Sequence, residues 1–137
     1  MPTKGHLFLS ILLCSLSVYL SQASDLVPIG TILSSAESYH LRAVTLQGRA
    51  RKVQTIEPYM DLDGCIQRDS YTFLLEDGTG SIEVDVRGPC ASPSGTLISV
   101  SDGDRVVVDA LIHAFTKEDS NRVMVRAVAQ RIQRAGH

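Results

Sequence analysis

The side chains of this sequence that could do chemistry are its cysteines, its histidines and one acidic turn. Cys65 and Cys90 do not form the C-x-x-C arrangement of a redox pair. The histidines beyond the first 23 residues are His40, His113 and His137, and none is at a metal-ligand spacing from another histidine or cysteine. Asp61-Leu-Asp-Gly64 resembles part of a calcium loop but lacks the rest of that pattern. We therefore expect a plain turn there, and no metal ion or cofactor.

Enzyme signatures are also missing from the sequence. It has no nucleophile elbow, no phosphate-binding loop and no pair of acids beside an evident substrate groove. Ser34, Ser35 and Ser38 lie near His40 in one local segment, and that proximity does not indicate a catalytic triad. We expect no catalytic residues and a non-enzymatic protein.

The first two dozen residues have the composition of a secretory signal peptide. Lys4 precedes an apolar run, Leu7–Leu20, and small residues then lead to the first acidic residue, Asp25. The run is shorter than the roughly 20 residues that a membrane-spanning helix needs. We therefore predict cleavage after Ala23, with a retained membrane anchor as the alternative.

Cleavage would separate a signal peptide, residues 1–23, from one domain, residues 24–137. Hydrophobic residues make up 44% of the 137-residue chain, which is enough for one packed core. This domain would be periplasmic or secreted, with no membrane span, and we expect a monomer. An even pair of cysteines in an exported chain indicates a disulfide, which we predict between Cys65 and Cys90.

A β-hairpin over residues 71–87 is the strongest structural signal. Asp77-Gly-Thr-Gly80 is a tight turn between two β-prone runs. If Glu76 pairs with Ser81, alternate residues form one buried face and one solvent face. The buried face has the apolar residues Tyr71, Phe73, Leu75, Ile82, Val84 and Val86. The solvent face has Thr72, Leu74, Glu76, Ser81, Glu83 and Asp85.

A helix and a strand are predicted before this hairpin. The segment Thr31–Tyr39 is predicted to be a short helix capped by Thr31. Residues 44–51 alternate between apolar and polar types, as a strand does. Gly48 inside that strand indicates a bulge or a bend, and residues 53–70 show no regular pattern.

Two further strands are predicted after the hairpin, at residues 105–115 and 122–133, with the loop 116–121 between them. Thr96–Val100 is expected to return to the core. The domain therefore has five strands and one short helix. Five short strands with closely spaced turns are typical of a small barrel.

Three stretches of the sequence resemble the oligonucleotide/oligosaccharide-binding (OB) fold. They are Val44-Thr-Leu-Gln-Gly-Arg-Ala-Arg51, Phe73-Leu-Leu-Glu-Asp-Gly-Thr-Gly-Ser-Ile-Glu-Val84 and Gly103-Asp-Arg-Val-Val-Val108. The resemblance extends over residues 43–132 and is closest to anticodon-binding domains of class II aminoacyl-tRNA synthetases and to the small domains of replication protein A. The segment before it also resembles small exported proteins of this fold. The resemblance implies an all-β, five-stranded Greek-key barrel with a short N-terminal helix.

The face on which this fold holds single strands is acidic in this sequence. Glu76, Glu83 and Asp85 lie on the solvent face of the hairpin, which carries no aromatic residue. A single strand requires aromatic platforms and a positive groove, so we disfavour nucleic acid as the partner. Arg49 and Arg51, on the outward side of the first strand, are predicted to pair with the acidic row.

A candidate binding rim comes from the two longest loops and the strand ends beside them. Its residues are Tyr59, Arg68, Phe115, Lys117, Arg122 and Arg126. We predict a non-enzymatic, exported module that binds a protein partner or a small polymeric ligand through this rim. Binding of a single-stranded oligonucleotide and a structural role in an envelope assembly stay open as alternatives.

Overall fold

The computed structural model describes residues 25–88, 90 and 98–136. The predicted signal peptide lies outside these residues and stays a prediction. No helix within the described ranges is long and apolar enough to cross a membrane. The described helices and strands are α1 Ile29–Ser34, α2 Ala36–Tyr39, β1 Ala43–Thr55, β2 Tyr59–Met60, β3 Ile66–Gln67, β4 Tyr71–Glu76, β5 Ser81–Val86, β6 Arg105–Thr116 and β7 Val123–Arg134.

Five of these strands close into a barrel in the order β1-β4-β5-β7-β6. The long strand β1 has two neighbours: its first part pairs with β6 and its second part pairs with β4. Arg49, at the change of partner, lies opposite both Arg105 and Glu76. Strands β5 and β7 pair in parallel. The predicted five-stranded barrel with a short helix in front is confirmed.

The hairpin of β4 and β5 has the predicted register. Its opposed pairs include Tyr71–Val86, Phe73–Val84, Leu75–Ile82 and Glu76–Ser81. All six apolar residues of the inward face are buried, as predicted. The same alternation buries Val106, Val108 and Ile112 on β6. The core is therefore the inside of the barrel.

Helix α1 adds Ile29 and Ile32 to this core, and both side chains are completely buried. The predicted cap is wrong. The helix begins at Ile29 instead of Thr31, and its N-cap residue, Pro28, makes no side-chain cap hydrogen bond. The predicted single helix is also divided, because Ser35 leaves helical geometry between α1 and α2.

Side chains of the hairpin turn accept hydrogen bonds from the first backbone N–H groups of α1. The backbone N–H of Ile29 donates to Asp77 Oδ2 at 2.8 Å, and the N–H of Gly30 donates to Thr79 Oγ1 at 2.9 Å. The other oxygen of Asp77 accepts the backbone N–H groups of Thr79 and Gly80. The first N–H groups of a helix have no partner within the helix, so one distant carboxylate stabilises both the turn and the helix start.

Replacing Asp77 with alanine is expected to lower the free energy of unfolding by about 1–2 kcal/mol, the usual loss for a helix cap. Burial raises the pKa of the Asp77 carboxyl, but hydrogen bonds from Thr79, Ile29 and Gly80 outweigh burial and hold this pKa below 3.8. The carboxylate therefore stabilises the fold above about pH 4, and this contribution is lost as the pH falls through the lowered pKa. Denaturant melts across the acidic range should show a smaller acid-induced loss for Asp77→Ala than for the wild type. Asp119→Ala, in an exposed loop, is the control, and equal acid losses in wild type and Asp77→Ala would contradict this role.

Strand β1 has a register irregularity that lies beyond Gly48, the residue at which a bulge or a bend is predicted. Its register shifts between Arg51 and Gln54, where Lys52 has a φ of 51°, and such a shift marks a bulge. Gly48 lies outside the shift. A Cβ at Gly48 would collide with the backbone carbonyl of Glu76, so this glycine permits the close approach of β1 and β4.

The connection from β1 to β4, predicted to be irregular, contains a second small sheet. Strands β2 and β3 pair Tyr59 with Gln67 and Met60 with Ile66. Residues 56–68 therefore form a two-stranded projection from the barrel, termed the arm below.

Candidate functional site

The arm is cross-linked by a disulfide and is internally hydrogen-bonded. Cys65 and Cys90 form the predicted disulfide, with their Cα atoms 5.7 Å apart. Asp61 Oδ1 accepts hydrogen bonds from the backbone N–H groups of Asp63 and Cys65, each at 3.0 Å. Asp61 Oδ2 accepts one from Gln67 Nε2, also at 3.0 Å. The acidic sequence is therefore a turn, as we interpreted it.

The same residues bring potential metal ligands together. Asp61, Cys65 and Cys90 place one carboxylate oxygen and two sulfurs within 4.8 Å of one another. The hydrogen bond from Gln67, followed by that from the backbone of Cys65, lowers the pKa of the Asp61 carboxyl below 3.8. Metals bind the thiolate form of cysteine, whereas these sulfurs are joined to each other. In the oxidised protein, the cluster stabilises the arm.

The arm exposes several large apolar side chains. Leu62 is fully exposed at the tip, and Met60 beside it is 68% exposed. Ile56, Tyr59 and Ile66 are also exposed. Single exposed apolar residues are normal on a protein surface. Met60 and Ile66, however, are directly opposed in the β2–β3 pair and so share one face, and exposed apolar residues grouped on one face are typical of an interaction site.

Sequence analysis identifies Tyr59 in this group and misses Met60, Leu62 and Ile66. In the sequence, these three residues are visible as apolar residues spaced through a polar connection. Such residues usually indicate packing against the core, and only the structure shows that the arm projects from the barrel.

Four of the six predicted rim residues lie together where β6 and β7 meet. Phe115 is near the end of β6, and the backbone N–H of Lys117 donates to the carbonyl of Arg122 across the following loop at 3.2 Å. Arg126 on β7 places its guanidinium carbon 6.0 Å from the centroid of the Phe115 ring. This geometry is consistent with a cation–π contact.

The other two rim residues, Tyr59 and Arg68, lie on the arm, away from this group. The backbone of Arg68 packs against Gly88, just beyond β5, whereas Arg126 lies opposite Glu83 near the start of β5. Five residues of extended chain span roughly 16 Å at about 3.3 Å per residue. The structure therefore divides the predicted rim into two groups at opposite ends of β5.

The outer face of β4 and β5 is acidic, as predicted, but its carboxylates already have partners. Arg126 lies 3.0 Å from Glu83 Oε1 and 3.2 Å from Asp85 Oδ2. Arg51 lies 3.6 Å from Glu76, which confirms one predicted pairing. Sequence analysis assigns Arg126 to the binding rim and misses its ion pairs, because the parallel pairing of β5 with β7 creates them.

Asp85 is the least solvated carboxyl of this face. Burial raises its pKa above 3.8, although Arg126 beside it acts in the opposite direction. Its Oδ1 is buried without a hydrogen-bond partner among the residues that the structure describes. A phosphate placed on this face would meet three carboxylates and would compete with them for Arg126.

The other predicted pairing of the acidic row, that of Arg49, is wrong, and His40, for which no role is predicted, makes a structural contact. Arg49 does not pair with the acidic row: its guanidinium donates to the carbonyl of Gly103 at 3.2 Å. His40, considered beside the serines of its segment, accepts a hydrogen bond at Nδ1 from the backbone N–H of Ala114 at 3.1 Å. This histidine therefore joins the helical segment to β6.

Solved structures share this architecture. The second OB-fold domain of replication protein A from Methanococcus maripaludis gives a TM-score of 0.58 at 15% identity, covering 80% of this chain and 94% of that domain. The OB domain of Ta0387 from Thermoplasma acidophilum gives 0.53 at 20% identity, covering 83% and 90%. Aspartyl-tRNA synthetase from Entamoeba histolytica gives 0.54 at 13% identity, covering 82% of this chain but only 21% of that protein.

No protein-family model matches the sequence, and no curated protein is similar to it in sequence. At identities of 20% or less, the solved structures establish an architecture and leave the ligand open. Their similarity agrees with the closed strand order and the hairpin register described above. The chain therefore has the oligonucleotide/oligosaccharide-binding fold that its sequence resembles.

Proposed function

We propose that this chain is a non-enzymatic binding module that docks onto a protein partner through its arm. The observation that carries the proposal is the full exposure of Leu62 at the tip of a restrained projection. The Cys65–Cys90 disulfide and the Asp61 carboxylate provide that restraint.

The restraint makes the arm suited to binding. A partner that covers Met60, Leu62 and Ile66 gains about 25 cal/mol for each Å² of apolar surface removed from water. Ordering of flexible loops normally opposes that gain, and the arm is already ordered by its own hydrogen bonds. Methionine and aromatic residues such as Tyr59 are also enriched at protein interfaces.

The charged residues of the arm segment predict the charge of the partner surface. Residues 56–69 contain four acidic side chains, Glu57, Asp61, Asp63 and Asp69, and a single basic one, Arg68. Complementary charge at an interface rim favours encounter and selects the partner. The partner surface is therefore expected to have an apolar centre and a basic rim.

We place this module outside the cytoplasm. The Cys65–Cys90 disulfide supports this location, because such bonds persist in oxidising compartments. The composition of residues 1–23 supports it independently. Mass spectrometry of the native protein is expected to find a start near Ser24 or Asp25, and an intact Met1 would contradict export.

The arm is tested by comparing two surface double variants. The variant Met60→Ser/Leu62→Ser removes the apolar tip, whereas Val123→Ser/Met124→Ser removes exposed apolar side chains from the far end of the barrel. A partner cross-linked in cells by the wild type is then purified, and its affinity is measured. We expect the arm variant to lose at least tenfold in affinity and the control to be unchanged. Equal affinities for both variants would contradict docking through the arm.

Binding of single-stranded nucleic acid is the second candidate function, and the likeness to an OB-fold domain of replication protein A supports it. Affinity for a phosphate backbone comes mainly from cations that release its counterions. The residues of this chain carry a net charge of −2, and Arg126 is already paired with Glu83 and Asp85. The protein-binding function is therefore favoured.

We predict that the protein binds a labelled single strand of about 20 nucleotides more weakly than micromolar at about 150 mM salt. The acidic hairpin face, which lacks stacking rings, is the physical reason. Fluorescence anisotropy measures this affinity. Micromolar or tighter binding that is lost in Arg122→Gln/Arg126→Gln would overturn the prediction and restore the nucleic-acid function.

A further inference from the structure

A pocket of about 620 Å³ lies on the outside of the barrel, where β1 changes from one neighbouring strand to the other. The segment before α1 forms one wall, since the N–H of Val27 donates to the carbonyl of Thr45 on β1 at 3.0 Å. Strand β1, the hairpin turn and the start of β6 form the other walls. The charged and large apolar residues of its lining include Leu26, Val27, Arg49, Glu76, Asp77 and Arg105.

Two arginines in this pocket are opposed, and Arg49 lies between Arg105 on β6 and Glu76 on β4. Arg49 and Arg105 face each other directly in the β1–β6 pair, an arrangement of like charges that destabilises a sheet. Neither has a carboxylate oxygen within 4.0 Å in the described part of the chain. Both side chains are exposed to the solvent of the pocket.

The two acidic residues of the pocket are engaged elsewhere. Glu76 lies 3.6 Å from Arg51, further along β1. Asp77 accepts hydrogen bonds from the N–H groups of Ile29 and Thr79. Arg49 donates to the carbonyl of Gly103 at 3.2 Å. Among the described residues of the pocket, Arg49 and Arg105 are therefore the cations that form no ion pair.

We infer that this pocket binds a small organic monocarboxylate with an apolar body. The carboxylate would lie between the guanidinium groups of Arg49 and Arg105, whose planar donors match its two oxygens. The apolar body would contact Leu26 and Val27. A bound carboxylate relieves the repulsion between the two arginines. The carboxylates of Glu76 and Asp77 on the same rim disfavour a ligand with a second negative charge, such as phosphate.

Titrations of the purified protein with hexanoate, hexan-1-ol and inorganic phosphate test this inference. The backbone amide NMR signals of Gly48 and Arg105 should shift saturably with hexanoate, with a dissociation constant of roughly millimolar, as befits a ligand of this size. Hexan-1-ol and phosphate should bind at least tenfold more weakly. Phosphate binding as tight as that of hexanoate, or amide shifts that do not saturate, would overturn the inference.

Single substitutions distinguish an effect on hexanoate binding from an effect on folding stability. Arg49→Gln and Arg105→Gln should each weaken hexanoate binding at least tenfold, whereas Arg122→Gln, at the far end of the barrel, should have no effect. Without ligand, the Tm of Arg105→Gln should equal or exceed that of the wild type, because the substitution removes a repulsive pair. Leu26→Ser should weaken hexanoate binding more than acetate binding. Unchanged hexanoate affinity in both arginine variants would exclude this site.

Discussion

Replacing Phe73 with alanine is expected to lower the free energy of unfolding by about 3–5 kcal/mol, the usual loss for a completely buried phenylalanine. Phe73 is 1% exposed and is among the largest buried side chains of the barrel. It lies opposite Val84, and its ring centroid is 6.2 Å from that of Tyr71. Because β4 is hydrogen-bonded to β1 on one side and β5 on the other, the strands have little freedom to collapse into the cavity.

Leu74→Ala is the matched control for this substitution. Leu74 is the next residue of β4, points to the outer face and is only partly buried. Its truncation should cost about 1 kcal/mol. Urea denaturation of both variants measures the difference. An unchanged midpoint and slope for Phe73→Ala would mean that the two faces of the hairpin are assigned the wrong way round.

Removing the disulfide, in the variant Cys65→Ser/Cys90→Ser, should lower the free energy of unfolding by about 3 kcal/mol in the chain-entropy model. The bond joins residues separated by 25 positions in the chain, so its loss gives the unfolded state many more conformations. It also releases β3, since Gln67 forms an isolated bridge with Cys90. In this variant, relative to the wild type, we therefore expect hydrogen exchange to accelerate more in the arm than in the barrel strands.

The reducing agent supplies the control for the disulfide. Reduction should shift the denaturation midpoint of the wild type to that of the double serine variant and leave the variant unchanged. Peptide mapping of the native protein without reduction should recover Cys65 and Cys90 in one linked pair. Recovery of two free thiols, or equal midpoints for wild type and variant, would contradict the structural role of this bond.

Stability and binding should respond differently to these changes. Phe73 lies inside the barrel, so its substitution should reduce the folded population and leave the partner affinity of the folded molecules unchanged. The disulfide holds the arm, so its loss should weaken partner binding by more than the change in folded population explains. This difference separates the barrel, as the scaffold, from the arm, as the proposed binding element.

Local patterns determined the hairpin, whose register could be predicted residue by residue. The alternation from Tyr71 to Glu76 and from Ser81 to Val86 places every second side chain on the same face, and the glycine-containing turn sets the pairing. A slip by one residue would have exposed the whole apolar set. The proximity of Cys65 to Cys90 follows from the same register, which continues to Gln67 opposite Cys90.

Contacts between distant segments determined the start of α1 and the ion pairs of Arg126, which the sequence patterns did not predict. Helix α1 begins at Ile29 because Asp77, 48 residues further along, accepts its first N–H. Arg126 is an ion-pair partner instead of a free rim residue because β7 lies parallel to β5. No local pattern around Ile29 or Arg126 encodes these partners.

The sequence by itself therefore determined the barrel, its buried hairpin face and its disulfide, because each depends on alternation, turn chemistry and cysteine count along short stretches. Only the tertiary structure decided which side chains are available to a ligand. It separated Arg68 from Arg126, exposed Leu62 on the arm and opposed Arg49 to Arg105. Closure of the barrel sets these distances, since it pairs strands that are far apart in the chain, and a one-dimensional pattern does not contain that pairing.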